Sequence, residues 1–226
     1  MTDGAADIAD TSPGPARRLR LWGEFSILFI GIPVSMALLE QASALWTIMG
    51  MMTLVGIGLY AVTPGARWGV LLEGGVLRHW RVVVLFTAVT AGVTFGLVQW
   101  LTPWRLLQMP LDVPGLWLRI MLLYPLLSAL PQELIFRALY FERYGGLFPN
   151  GTVALAINAG VFALAHLFYA NWVALSLTFA GGLAFAWAYR RLRSFPLAFV
   201  LHMLGGQLVF TSGLGWFFYH GAVGTH

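Results

Sequence analysis

The stretch Pro131-Gln132-Glu133-Leu134-Ile135-Phe136-Arg137 places an acid and a base inside an otherwise apolar segment. Residues 120–132 and 138–141 carry no charge, so both charges lie at bilayer depth if this segment spans a membrane. In a helix, Glu133 and Arg137 are four residues apart and share a face, which lets them pair. Ionisable groups at that depth are costly and usually functional. A structural ion pair that joins two helices is the alternative interpretation.

The composition supports a membrane setting for this stretch. Of the 226 residues, 59% are hydrophobic and only 10% are charged, and the mean hydropathy is +0.78. A soluble domain has about a quarter of its residues charged. The chain therefore reads as an integral membrane protein, with room for one helical bundle. It contains no cysteine, which excludes disulfides and thiolate catalysis.

Apolar runs along the chain predict an all-α fold, a polytopic membrane bundle of about seven transmembrane helices. The runs cover residues 25–39, 42–62, 82–101, 116–145, 153–169, 172–189 and 195–216. Residues 1–20 read as a disordered cytoplasmic tail, and residues 21–226 as a single membrane domain. Ala42-Ser43-Ala44 resembles a signal-peptide cleavage site, but a second apolar run begins at once, which favours an uncleaved first span.

The basic residues predict the orientation, and all thirteen are arginine. With a cytoplasmic N-terminus, only Arg105 and Arg119 among the loop arginines fall outside, as the positive-inside rule requires. The arginines flank the spans and form no stripe, so a nucleic-acid partner is not expected. The spans do not divide into two halves with matching broken helices, which counts against a transporter.

Further polar residues occur in two later spans. Asn158, Phe162 and His166 are spaced i, i+4, i+8 on one face, and His202 is followed by Gly206 and Gln207. A single membrane histidine is often only a hydrogen-bonded packing residue. At about 1.5 Å per residue, however, Glu133, His166 and His202 lie at overlapping depths on three separate helices. We therefore expect them to form one site.

These side chains allow two kinds of hydrolysis. Arg137 would keep Glu133 ionised, and the carboxylate could take a proton from a water that attacks an amide carbonyl. A histidine, or the side chain after it, could donate to the developing oxyanion. The set Glu133, His166 and His202 also suits a zinc site. Side-chain types alone leave both mechanisms open, and a proton relay is a further alternative.

The order QELIFR, then FALAH, then a histidine early in the last span resembles the CPBP family of intramembrane proteases. This family includes the type II CAAX prenyl proteases and the bacteriocin-processing and immunity (ABI) proteins. The resemblance covers residues 116–218. The motif EExxxR falls on Gln132, Glu133 and Arg137, FxxxH on Phe162 and His166, and HxxxN on His202 and Gly206. Gln132 and Gly206 depart from the family pattern.

The resemblance implies an intramembrane endopeptidase, of glutamate or metallo type, that cleaves a membrane-associated peptide or protein. Glu133 would be the base, Arg137 would orient it, and His166 and His202 would hold water and oxyanion. Substrate or oxyanion contacts would come from Gln132, Phe162, Asn158, Gly206 and Gln207. Zinc is a possible cofactor, and the expected location is the bacterial inner membrane. The departures at Gln132 and Gly206 motivate the alternative, a catalytically silent binding or immunity protein.

Overall fold

The computed structural model describes residues 14–39, 44–148 and 150–218. The first helix begins at Pro15, where proline suits the first helical position. The predicted tail therefore ends before residue 20, since residues 15–20 are helical. Residues 1–13 of that tail, and Ala42 and Ser43 of the cleavage-site pattern, lie outside the described residues.

Seven helices make up the bundle in the described part of the chain, which contains no strand. They are α1 Pro15–Leu38, α2 Leu45–Ala61, α3 Val76–Leu101, α4 Pro114–Leu147, α5 Gly151–Tyr169, α6 Trp172–Arg191 and α7 Phe195–Ser212. Six of them are long and apolar enough to cross a membrane, and α2 has 17 residues, which rise about 25 Å. The chain is thus an integral membrane protein with the predicted all-α fold.

Side-chain caps fix where the last three helices begin. The Asn150 side chain accepts a hydrogen bond from the Val153 N–H at 2.7 Å, and Asn171 accepts one from Ala174 at 2.8 Å. Ser194 does the same for Leu197 at 3.0 Å. Each cap satisfies an amide that the first turn of a helix leaves unpaired. These short polar breaks keep α5, α6 and α7 separate although the chain around them is apolar.

Helix α4 carries the opening motif, and its outer face is exposed before residue 131 and buried just after it. Its turns widen to π-helix over Pro125–Ala129 and again over Leu134–Tyr144. Pro125 and Pro131 lack the amide that a regular ladder needs, and π turns of this kind are frequent at functional sites. Every side chain from 133 to 141 is buried, so this part of α4 is enclosed on all sides.

A second ion pair fastens the end of α4 to α1. The Arg143 guanidinium binds both carboxylate oxygens of Glu24, at 2.7 and 3.0 Å, and donates to Thr63 Oγ1 at 3.1 Å. Paired N–H···O bonds of this geometry are among the strongest polar contacts in proteins. Arg143 thereby joins α1, α4 and the end of α2.

Two sets of contacts define the ends of the bundle. At one end, Tyr189 of α6 donates to Glu142 of α4, and Gly74 packs on Ser194 before α7. At the other end, Gly213 stops α7 with φ +114°. Its Cα lies against the Arg105 carbonyl, so only glycine fits there. Helix α7 therefore ends at Ser212, earlier than the predicted 216.

Candidate active site

A carboxylate and an imidazole meet between α4 and α7. Glu133 Oε1 lies 2.9 Å from His202 Nδ1, and the two residues are 0% and 5% exposed. With the carboxylate ionised, Nδ1 carries the proton and donates it to Glu133. In the neutral imidazole, Nε2 is then left with its lone pair. The Glu133 contact therefore sets both the orientation and the tautomer of His202.

Arg137 holds this carboxylate from the other side. Its Nε lies 3.3 Å from Glu133 Oε2, and its NH1 donates to Asn158 Oδ1 at 3.0 Å. Asn158 in turn donates to the Phe136 carbonyl. The guanidinium also lies over the Phe162 ring, 4.8 Å from its centroid, where a cation is favoured. Arg137 and Asn158 thus form a buried layer behind the Glu133–His202 pair.

His166 is oriented by a different partner. Its Nδ1 donates to the Phe162 carbonyl at 2.8 Å, which again leaves Nε2 as the acceptor nitrogen of the neutral ring. The Phe162 ring centroid lies 4.8 Å from that of His166 and 5.4 Å from that of His202. Phe162 and His166, predicted to share a helix face, are thus in contact, and the same ring also contacts the second histidine.

A cavity of about 1020 Å³ opens beside the two histidines and is lined by residues from all seven helices. Its wall is mostly apolar. Five of the site residues predicted from the sequence lie on this wall: Gln132, Phe162, His166, His202 and Gly206. His166 and His202, which the sequence predicted to belong to one site, therefore line the same cavity.

Four other predicted site residues do not line the cavity: Glu133, Arg137, Asn158 and Gln207. Gln207 Nε2 donates to the Met121 carbonyl at 2.9 Å and so joins α7 to α4. The two oxygens of the fully buried Glu133 already face His202 and Arg137. The sequence predicted Glu133 as the base of this site. Its carboxylate does contact His202, but His202 and Arg137 cover both oxygens, so its position does not suit direct contact with an attacking water.

The same geometry bears on the zinc hypothesis. Because the Glu133 oxygens face His202 and Arg137, the three residues His166, His202 and Glu133 do not point their donor atoms at one point. Among the described residues, no group of three or more His, Cys, Asp and Glu side chains could hold a metal ion. This donor set does not fit a three-ligand zinc site.

Among the polar residues of the cavity wall that sequence reasoning missed, Tyr124 and Ser128 of α4 lie on the same helix as Gln132. Gln132 Nε2 donates to Ser128 Oγ at 2.9 Å, while Gln132 Oε1 accepts no hydrogen bond from the described residues. The signal was present in the sequence, because residues 124, 128 and 132 are spaced by four and share a helix face.

Comparison with known proteins finds a similarity over part of the chain. Residues 114–206 match the model of the family described as type II CAAX prenyl endopeptidase Rce1-like. The matched segment begins with α4, ends within α7, and contains Glu133, His166 and His202. The CPBP resemblance is thus confirmed for this part of the chain. No curated protein and no solved structure matches the chain.

Proposed function

We propose that this Rce1-like membrane protein is an endopeptidase that hydrolyses a peptide bond in a membrane-associated substrate, with His202 as the general base. The observation that carries the proposal is the buried Glu133–His202 pair beside the cavity. A carboxylate that fixes an imidazole through Nδ1–H is the arrangement used to make the opposite nitrogen a base. Here that nitrogen, Nε2, belongs to a residue of the cavity wall.

The reaction then needs only this chain's own groups and water. His202 Nε2 takes a proton from a water as the water oxygen adds to the carbonyl carbon of the substrate. The negative charge of Glu133 stabilises the imidazolium that forms, and Arg137 holds the carboxylate in place. When the intermediate collapses, His202 returns the proton to the departing amine. Glu133 is therefore a positioning residue that acts through His202.

His166 and Gln132 suit positioning roles at the same wall. The neutral His166 ring offers an acceptor nitrogen, which can hold the attacking water by one of its hydrogens. Gln132 lines the same wall, and its Nε2 donates to Ser128 Oγ, which fixes the side chain beside the place where an extended substrate would lie. Glutamine cannot take a proton from water at neutral pH, so Gln132 is not the base.

The cavity also suggests the class of substrate. Its volume of about 1020 Å³ is at the upper end for a ligand pocket, and its wall is mostly apolar. The matched family is named for prenyl endopeptidases. We therefore propose a substrate whose peptide carries a lipid group, with the apolar wall holding the lipid and the histidines facing the peptide.

The test uses the purified full-length protein in liposomes with two synthetic peptides. Both end in a cysteine followed by three residues, and only one is farnesylated on that cysteine. Mass spectrometry measures release of the C-terminal fragment. We expect cleavage of the farnesylated peptide by the wild type. We expect a loss of at least about 1000-fold in His202→Gln, because the base is removed.

The matched control is His79→Gln, a histidine at the start of α3 that does not line the cavity. This variant should cleave at the wild-type rate. Equal rates for His202→Gln and the wild type would contradict the assignment of the base. If the wild type releases no fragment from either peptide, the enzyme proposal fails, and the silent binding protein becomes the better interpretation.

A further inference from the structure

Gly206 of α7 leaves space that a tyrosine from α4 fills. A Cβ atom added at position 206 would overlap Cε1, Cζ and Oη of Tyr124. The hydroxyl end of Tyr124 therefore lies directly against the Gly206 backbone, and any larger residue at 206 would displace it. Both residues belong to the cavity wall.

Neighbouring rings hold Tyr124 in this place. Its ring centroid lies 6.0 Å from that of His202 and 5.8 Å from that of Phe210, with an edge-to-face arrangement in both pairs. Such aromatic pairs favour one ring orientation. The hydroxyl makes no hydrogen bond with any described residue. Tyr124 therefore presents an unused O–H donor beside His202.

The proposed reaction needs a donor at this point. As water adds, the electron pair of the C=O π bond moves onto the carbonyl oxygen, and a preorganised donor stabilises that charge. Both histidines offer only acceptor nitrogens to the cavity in their neutral forms. Gln132 donates one N–H to Ser128, and Gln207, which does not line the cavity, donates one to the Met121 carbonyl. The Tyr124 hydroxyl donates no hydrogen bond to any described residue, so it is available to a bound substrate.

We infer that the Tyr124 hydroxyl donates a hydrogen bond to the oxyanion of the scissile peptide and that Gly206 is required to admit it. The inference rests on the proposed function and adds a catalytic residue to it. When the intermediate collapses, the pair on oxygen re-forms the C=O bond, and the amine leaves with the proton from His202. Tyr124 keeps its own proton throughout.

The first test is Tyr124→Phe in liposomes with the farnesylated peptide. This change removes one oxygen and keeps the ring that packs on Gly206. Loss of a single oxyanion donor lowers kcat about 100-fold or more, and KM should stay unchanged because the bond forms only as charge develops. The control is Tyr189→Phe, which removes a hydroxyl bonded to Glu142 outside the cavity. It should leave kcat unchanged.

The second test is a double-mutant cycle that combines Tyr124→Phe with Gly206→Ala. Gly206→Ala should lower kcat by a similar factor in the wild-type background, because the added methyl displaces the hydroxyl. In the Tyr124→Phe background the methyl still displaces the ring, but no hydroxyl is left to lose, so it should cause no further loss in kcat. Losses that multiply would overturn the link between Gly206 and the hydroxyl.

The outcomes separate this inference from the function on which it rests. If the wild type cleaves the peptide and Tyr124→Phe cleaves it equally fast, Tyr124 is not the donor, while the proposed function stands. If the wild type cleaves neither peptide, both proposals fall. Thermal unfolding of each variant shows whether a loss of rate is only a loss of folded protein.

Discussion

Arg137 balances the negative charge of the buried Glu133 carboxylate. Its side chain and that of Glu133 are both completely buried, 3.3 Å apart. A carboxylate removed from water is very costly unless a charge and hydrogen bonds replace the solvent. Asn158 and the Phe162 ring hold the guanidinium in turn, so the charge of Glu133 depends on a chain of contacts between α4 and α5.

This dependence predicts a large effect on stability. Arg137→Gln should lower the thermal midpoint of the detergent-solubilised protein, because removing one partner of a buried ion pair costs about 3–5 kcal/mol. Arg78→Gln is the matched control, since Arg78 is exposed near the start of α3. Its midpoint should stay near that of the wild type. Equal shifts for the two variants would show that Glu133 does not rely on Arg137.

At the same scale, residue types in the sequence predicted which helices bring polar groups together. They did not predict which atoms face the cavity. Consecutive residues of a helix point about 100° apart, so Gln132 lines the cavity while His202 and Arg137 cover the Glu133 carboxylate. The rotation of α4 depends on how the other helices pack around it, and no local pattern encodes that. The role of Glu133 as a partner of His202 therefore required the structure.

At the scale of elements, helix starts were predicted best where a polar cap interrupts an apolar run. Helix α6 begins at Trp172 and α7 at Phe195, as predicted, because Asn171 and Ser194 cap them. Helix α3 starts at Val76, before the predicted residue 82. Arg78 and Arg81 made its first turns resemble a polar loop.

The π turns of α4 were a second element that the sequence did not predict. Regular α-helical spacing would place Tyr140 and Tyr144 on the face of Glu133. In the wider turns, Tyr140 instead donates to the Ala154 carbonyl, and Tyr144 donates to Glu24. Both tyrosines stabilise contacts between helices, and neither lines the cavity. Prolines mark where α4 is irregular, but the length of a π segment depends on packing around it.

At the scale of the whole molecule, contacts at the two ends of the bundle place Arg143 and Arg105 at opposite ends. Arg143 lies at the end of the bundle where Tyr189 meets Glu142 and Gly74 meets Ser194. Arg105 lies at the end where Gly213 stops α7. This separation agrees with the pattern on which the orientation was predicted. A cytoplasmic N-terminus and a bacterial inner membrane stay predictions.

Reporter fusions test the orientation. Fusions made after Arg67, Arg105, Arg143 and Arg193 should report inside, outside, inside and inside, because the end richer in arginine stays in the cytoplasm. The fusion after Arg105 is the internal control, since it is expected on the opposite side. The reverse pattern would show that the positive-inside rule does not set the topology of this chain.

The central claim is that Glu133 acts through His202, and a double-variant cycle tests it most directly. The rate of cleavage of the farnesylated peptide is measured in liposomes for Glu133→Gln, for His202→Gln and for the double variant. Glu133→Gln nearly preserves shape and removes the charge that stabilises the imidazolium, so its rate should fall at least about 1000-fold. The double variant should be no slower than His202→Gln, because the two residues work as one unit. A Glu133→Gln variant as fast as the wild type, or losses that multiply in the double variant, would contradict the claim.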